Sequence, residues 1–583
     1  MKKVTIIFIY ALALVTASAQ NTQSEGSKTG GVSTSYDRNA VTVIVLDNHT
    51  KYISDLKQAS AGIIIPSKYD DNLIGTRYVS AKADNKAIRK VLQQKKIPND
   101  ILTKWFSRNE SGKFDMSVIH DRGMYNATDD EVKKASGSKI GLAKLKDAGE
   151  ILINHSYILV MEFNNIQTME QKYNKRDAAK KALSEKLGTE YEPVNRRKNG
   201  WVGDVKAYLY RLSFNDSIMN IFYNDLWIYD DDDEATIAAK KAKFDEMVFP
   251  LSFVMEANGK ADGSQYNVGE ILAPPTQLTR DELFQKMIHT GMSSVLFNIE
   301  RKVEEFKVKT PLYGTHPLRA KVGKKEGLKA DHRYFVLEFE QNRKGETVAK
   351  RKGVVRAKKV VNNTKVATGS SKLYTTFYQT AGHSLMEGML LTQSSDFGIG
   401  ASGGFTLLGK MGGVYVKGEV NVSILAGIFG GLDLGLNQVK IYGVGAFQTK
   451  EYSLLGSGTK YDMNFTRFHV GISKGWYFAH SFSIAPFVGY GIEQGTNTDW
   501  IDDNSFEDDQ FIGTQFLAYG AYLTINITHC MQAVGTLNMY SPIGYAYNKD
   551  DESWTNNGAE LKYSDVFDKR KGMSIDVGLR IEF

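Results

Sequence analysis

Gly398, Gly400 and Gly403 have the glycine spacing of a dinucleotide-binding turn, and Gly400-Ala401-Ser402-Gly403-Gly404 spells the elbow that presents a nucleophilic serine. Both chemistries require a strand, a sharp turn and a helix, because backbone N–H groups at a helix start hold the phosphate or the oxyanion. Here the pattern runs on into Phe405-Thr406-Leu407, so Ser402 is expected inside a continuous strand, where glycines relieve bending and close packing. His469, His480 beside Ser481, and His529 are the residue types of a general base, yet no adjacent carboxylate completes a hydrolase arrangement around any of them. The 10 histidines show no close pair at zinc-ligand spacing, so neither a metal nor a cofactor is expected. The acid run Asp230 to Glu234 lacks the glycine turn of a calcium loop and is read instead as the negative start of a helix. A non-enzymatic protein is therefore expected, with a lipid-modifying or hydrolytic enzyme as the alternative and transport or secretion as a third class.

Charge is distributed unevenly. Arg343, Lys344, Lys350, Arg351, Lys352, Arg356, Lys358 and Lys359 form the densest basic stretch, on a hairpin begun by the alternating Phe335, Leu337 and Phe339. Such a patch could bind an anionic envelope polymer or a partner protein by field attraction, against the plainer reading of a solvated hairpin. From Asp396 onward there are 13 Lys and Arg against 20 Asp and Glu, a net of −7, so the overall +7 conceals about +14 in the preceding part. Asp499, Asp502, Asp503, Glu507, Asp508 and Asp509 fall in one polar stretch, and Asp550, Asp551, Glu552 and Glu560 in another. Cation bridging to lipid phosphate is one reading of these acids; irregular spacing favours solvated loop charge.

The elements that would position these groups are betrayed by period-two alternation. Met573, Ile575, Val577, Leu579, Ile581 and Phe583 share one face of the last eleven residues, with Ser574, Asp576, Gly578, Arg580 and Glu582 on the other. That is the pattern of a strand between lipid and a polar lumen. About eight such strands follow Asp396, the clearest being Val414, Val416, Gly418, Val420, Val422 and Ile424 against Tyr415, Lys417, Glu419, Asn421 and Ser423. Mean hydropathy of −0.33 with one long apolar run excludes a helical bundle but not a barrel. Tight connections at Ala479-His480 and Thr528-His529 alternate with long ones at Gly495–Gln510 and Ser541–Lys571, which places the C-terminus and the preceding region on the periplasmic side. An eight-stranded barrel is filled by its own side chains, which disfavours a general diffusion pore.

At the other end, Lys2 and Lys3, an apolar run from Val4 to Val15, and Ala17-Ser18-Ala19 form a signal peptide cleaved by its small-residue pattern at Ala17 and Ala19. A Ser-, Gly- and Thr-rich tether spans 20–37. An α/β unit is expected over 38–166, with a buried strand at Val41–Leu46, a capping box at Thr128 and Glu131, a helix through Leu142, Leu145 and Leu152, and a strand at Tyr157–Met161. An α+β unit is expected over 167–310, with strands at Val205–Phe214 and Ile221–Tyr229. It also holds a long helix that begins at Thr279 and Glu282 and carries the stripe Phe284, Ile288, Met292, Val295 and Ile299. A small β-barrel or SH3-like module follows over 311–393, and the transmembrane barrel over 394–583. The single Cys530 excludes an internal disulfide.

The order of signal peptide, tether, soluble α/β and β region and barrel, closing on Arg580-Ile581-Glu582-Phe583, resembles outer-membrane β-barrel proteins of the Bacteroidota type. The resemblance implies outer-membrane lipid and the barrel-assembly machinery as partners, the latter through Ile575, Val577, Leu579, Ile581 and Phe583. Nucleic acid is not an expected target for a secreted chain without a reading motif.

Overall fold

The structure, a computed structural model, describes residues 39–583 other than 48–50, 120–152, 193–198, 266–276, 342–346, 365–372, 395, 431–433, 455–458, 479–480, 505–506, 508–509, 557 and 569. The signal peptide with Ala17 and Ala19, the tether, the capping box at Thr128, the helix through Leu142, and Arg343, Lys344 and His480 lie outside the described residues.

The first layer is a six-stranded sheet. β1 (Ala40–Asp47) pairs in parallel with β2 (Asp70–Asp71), β3 (Arg77–Ser80) and β4 (Ser156–Thr168); β5 (Gly200–Leu212) then pairs antiparallel to β4, and β6 (Leu251–Ser264) antiparallel to β5. The unit boundary expected at 166/167 therefore falls inside β4, and the two soluble units are one. β1 is apolar on both sides because both faces of the sheet are covered. One face holds α1 (Ile53–Ser60) and a long helix described below; the other is packed by α2 (Asn85–Gln94), α3 (Ile97–Trp105) and an aromatic cluster around Phe106 and Phe222.

α4 (Met169–Leu187) leaves the end of β4. α5 (Asp216–Ile221), capped by the Asn215 side chain on Ile218 N at 3.1 Å, and a π turn over Phe222–Leu226 replace the strand expected at Ile221–Tyr229. Asn at a helix start outweighs the apolar run, and Phe222 and Leu226 become buried neighbours four residues apart. α6 (Glu234–Glu246) starts at the acid run as expected, with Asp233 accepting from Thr236 N at 2.7 Å. α7 (Arg280–Lys302) has the full Thr279/Glu282 capping box, and its stripe is buried against β5 and β6.

The second layer is a seven-stranded antiparallel sheet in the order β7-β13-β10-β11-β12-β9-β8. It comprises β7 (Lys309–Pro311), β8 (Gly314–Thr315), β9 (Leu318–Ala320), β10 (Arg333–Gln341), β11 (Thr347–Lys359), β12 (Thr375–Gly382) and β13 (Leu390–Gln393). Among the described residues the order is open, unlike the closed module expected.

The third layer is a closed antiparallel barrel of eight strands: β14 (Ile399–Gly409), β15 (Val414–Asn421), β16 (Val439–Ser453), β17 (Lys460–Lys474), β19 (Phe482–Thr496), β20 (Ile512–Asn526), β21 (Met531–Tyr547) and β24 (Gly572–Glu582). β17 pairs with β19, and β14 pairs with β24, which leaves no open edge. Short extras are β18 (Trp476–Phe478), which extends the wall beside β19, and the hairpin of β22 (Thr555–Asn556) and β23 (Ala559–Glu560).

Two strand readings need correction. β15 ends at Asn421, and Val422 and Ile424 open the helix α8 (Val422–Gly430) because the Asn421 side chain accepts from Ile424 N at 3.1 Å, an N-cap. β21 runs on to Tyr547, so the last outer loop begins there and not at Ser541. The alternation of loop lengths also breaks at the start: residues 410–413 make a tight outer turn, whereas 422–438 make a long inner connection.

Candidate functional site: the filled lumen and the docked inner mouth

Because side chains alternate, each strand sends one set of residues into the lumen, polar at its ends and largely aromatic at its middle, and an apolar set outward. Phe405, Val414, Ile441, Phe468, Ile525 and Leu579 are each 52–57% exposed where a soluble protein would bury them, because they stand on the outer wall. In β24, Ser574, Asp576, Arg580 and Glu582 are buried in the lumen while Leu579 and Phe583 are exposed and Ile575, Val577 and Ile581 are half-buried on the outer face. Phe583 closes the seam: its N–H donates to Ile399 O at 2.9 Å, and its carbonyl accepts from Phe397 N at 3.1 Å.

The lumen is filled in three levels. Near the outer end, Glu493 accepts from Arg570 Nε at 2.7 Å, from Tyr563 Oη at 2.8 Å and from Arg467 Nη1 at 3.2 Å, all buried. Arg570 also donates to Lys410 O and Gln448 Oε1 and lies 3.3 Å from the centre of the Phe465 ring. Above it, Trp500 and Ile501 of α9 (Thr498–Asp503), and Tyr563 and Val566 of α10 (Tyr563–Val566), pack with Phe465 and Phe567 into an apolar plug made by the outer loops. The middle level is aromatic: Phe487 and Tyr522 stack at 4.4 Å, and His469 is enclosed by Tyr442, Phe516 and Tyr540. At the inner level Glu419 pairs with Lys417 at 2.8 Å, with Lys440 at 2.9 Å and with Arg580. A cavity of about 40 Å³ lies here, lined among others by Ser402, Lys417, Gln438, Tyr522 and Arg580. That is room for a few waters, not for a path across the wall.

The inner charge network continues out of the barrel. Arg580 and Lys440 reach Glu582 at 3.3 and 3.7 Å, Glu582 reaches Arg356 Nη2 of β11 at 3.3 Å, and Arg356 also pairs with Asp396. Burial alone would lower the Arg356 pKa, but Asp396 and Glu582 beside it hold the guanidinium well above its ordinary value. Asp331 of the module accepts from Asn421 Nδ2 at 2.8 Å, from Gln438 N, and from Tyr378 Oη at 2.7 Å. Tyr378 and Tyr477 rings stand 5.4 Å apart, Asn526 donates to Thr380 O, and Phe335 meets His529 edge-on at 5.5 Å. The seven-stranded sheet is thus seated on the barrel end that bears the C-terminus and the 527–530 turn.

The basic hairpin is not one patch. Arg356 is turned into the barrel mouth and is 1% exposed. Lys352 is paired with Glu338 and Glu340, at 3.0 Å to the latter, and Lys350 with Glu340 at 3.5 Å. The Arg351 guanidinium lies 3.8 Å from the centre of the Phe335 ring, beside the His529 turn. Lys358 and Lys359 are on the surface. Strand alternation splits a run that looks continuous in sequence. The residues missed as site members, Lys417, Glu419, Arg467, Glu493 and Arg570, were readable only as polar positions in and beside the strands; nothing local signals which of them meet.

Ser402 lies mid-strand in β14 facing the lumen, so the elbow spacing has no turn to act on. His469 stands in the aromatic level and His529 in an inner turn, and among the described residues no group of three His, Cys, Asp or Glu could hold a metal ion.

No family model and no curated protein matches the chain. Among solved structures it is similar over about a third of its length to small membrane barrels. A major outer membrane protein of Thermus thermophilus is 16% identical over 32% of this chain and 97% of its own, with a TM-score of 0.22. Ail, the attachment invasion locus protein of Yersinia pestis, solved with a heparin analogue, is 13% identical over 32% and 95%, with a TM-score of 0.18. CarO2 of Acinetobacter baumannii is 11% identical over 33% and 100%, with a TM-score of 0.17. At these values the likenesses say nothing of function. The closed wall, apolar outside and polar within, is itself that of an outer-membrane barrel.

Proposed function

We propose that this is a non-enzymatic outer-membrane protein whose barrel anchors the preceding region in the periplasm, where that region binds an envelope protein or an anionic polymer. The observation that carries the reading is the docking of the seven-stranded sheet onto the barrel end holding Phe583 and the 527–530 turn. Outer-membrane barrels keep their C-terminus and short turns in the periplasm. A filled lumen supports an anchor over a diffusion pore.

Protease shaving of intact cells tests it, with one epitope in the soluble region and one in the outer loop around Asp502. Cleavage at the loop with the soluble region protected is the expected result. Cleavage of the soluble region on intact cells would place it at the cell surface and overturn the reading.

A further inference from the structure

α4 is a helix with almost nothing to pack on. Of its nineteen residues only Met169 is buried. Yet both ends are finished: Thr168 and Gln171 form a capping box, and Gly188 takes the left-handed conformation at φ 67°. Most helical stability in proteins comes from a packed face, which this helix lacks, so the caps stabilise an element that its own domain does not cover.

One sector of it is basic without acids. At 100° per residue four of the six cations, Lys172, Lys175, Arg176 and Lys186, fall within a sector of about 100°, together with Ala179 and Leu183 and with no acid among them; Lys180 lies outside that sector, and Lys181 falls with Glu170, Asp177 and Glu185 on the opposite side. The acidic side is the one the chain returns along: Tyr191 Oη donates to Asp177 at 2.7 Å, and Asp177, Tyr173 and Ser184 are half-buried. The basic side is open. None of its four cations forms an ion pair among the described residues, whereas Lys260, Lys243 and Arg280 elsewhere in the same domain are paired with Asp204, Asp225 and Asp55.

The placement is also specific. Tyr157, at the start of β4, packs on Phe306, and Arg301 of α7 lies over Phe397, so that end of the sheet adjoins the β module and the barrel. Thr168 ends the same strand about 35–40 Å further on, at roughly 3.3 Å per residue. The basic face therefore stands at the end of the domain remote from the barrel.

We propose that this face of α4 is the contact for a carboxylate-bearing polyanion of the cell wall, the peptide stems that peptidoglycan carries at repeated positions along its glycan chains. The inference rests on the periplasmic reading above and moves the binding surface from the basic hairpin, whose cations are largely engaged within the protein, to α4. Four cations spread over about 21 Å of helix match a chain of repeated carboxylates. A membrane-surface helix would instead carry a broad apolar face with Trp or Phe, and here Ala179 and Leu183 are the only apolar members of the sector.

The test is co-sedimentation of the full-length protein in detergent with purified peptidoglycan sacculi. The wild-type chain should pellet with the sacculi, less so as salt rises above about 0.15 M. The exposed quadruple change Lys172→Gln, Lys175→Gln, Arg176→Gln and Lys186→Gln should weaken binding on the order of tenfold, while Lys358→Gln with Lys359→Gln leaves it unchanged. Equal pelleting of the quadruple variant overturns the role of α4. Absence of wild-type pelleting, or binding to anionic phospholipid vesicles in its place, overturns the polymer. Shaving of intact cells reports separately on the periplasmic placement.

Discussion

At the residue scale, two contacts are sharp enough to test. The Tyr442 hydroxyl lies over Gly489, where an added Cβ would come within 2.5 Å of it and 2.7 Å of Val470 O. Gly489→Ala should cost about 1–3 kcal/mol by overpacking, read as a lower temperature for conversion of the folded band on a denaturing gel. Adding Tyr442→Phe removes the nearer atom and should restore part of the loss; no recovery would mean that the tyrosine does not set the need for glycine. His529 is the second case. Burial first, then Arg351 and Arg333, lower its pKa from the ordinary 6.5 to about 4. The docked state thus favours neutral imidazole, and a freed turn takes up a proton near 6.5. Docking is strongest above that value and weakens as pH falls from about 6.5 toward 4. Amide-exchange protection of residues 527–530, corrected for intrinsic rates, should fall across this window in the wild type and stay level in His529→Gln.

At the scale of elements, the C-terminal strand does two jobs with one alternation. Its outer face meets lipid, and its inner face supplies Arg580 and Glu582 to the network that joins barrel to β module. Deleting Phe583 removes both backbone bonds to the first strand and an exposed aromatic residue at the rim. The truncated chain should accumulate in the periplasm, seen by fractionation and by loss of the heat-modifiable folded band. Normal insertion would show that β24 needs no terminal aromatic. Elements with strong periodicity were legible: β1, α7 and all eight barrel strands fall where alternation or the stripe puts them. Val422 and Ile221 were not, because an asparagine side chain capping the next turn decides helix against strand there, and the apolar pattern is compatible with either.

At the scale of the molecule, the barrel is closed three times over, by the outer loop core, the aromatic level and the inner ion pairs under the docked sheet. Purified protein in a planar bilayer should therefore give no stepwise conductance above the bare membrane. Steps of the size that open diffusion pores give would contradict the filled lumen. The soluble sheet and the β module are likewise one assembly with the barrel rather than a tethered neighbour: Ser67 donates to Lys325 O at 3.1 Å, Arg301 lies over the Phe397 ring at 4.7 Å, and Asp331 bonds directly to the inner connection before β16.

By itself the sequence determined the barrel, about eight strands of it, and its inside and outside, because the two-residue period of a strand exposes the lipid face and the lumen face directly, while the exact number came from the pairing. It also determined the absence of a turn at Ser402, since alternation passes through that position without a break. Only the tertiary structure decided that β1 to β6 are one sheet, that Lys350, Lys352 and Arg356 of the hairpin are engaged in ion pairs and at the barrel mouth, and that Glu493 meets Arg467 and Arg570 in the lumen while Glu419 meets Lys417, Lys440 and Arg580. Those outcomes depend on which strands become neighbours across large separations in sequence, and a local pattern carries no information about that choice.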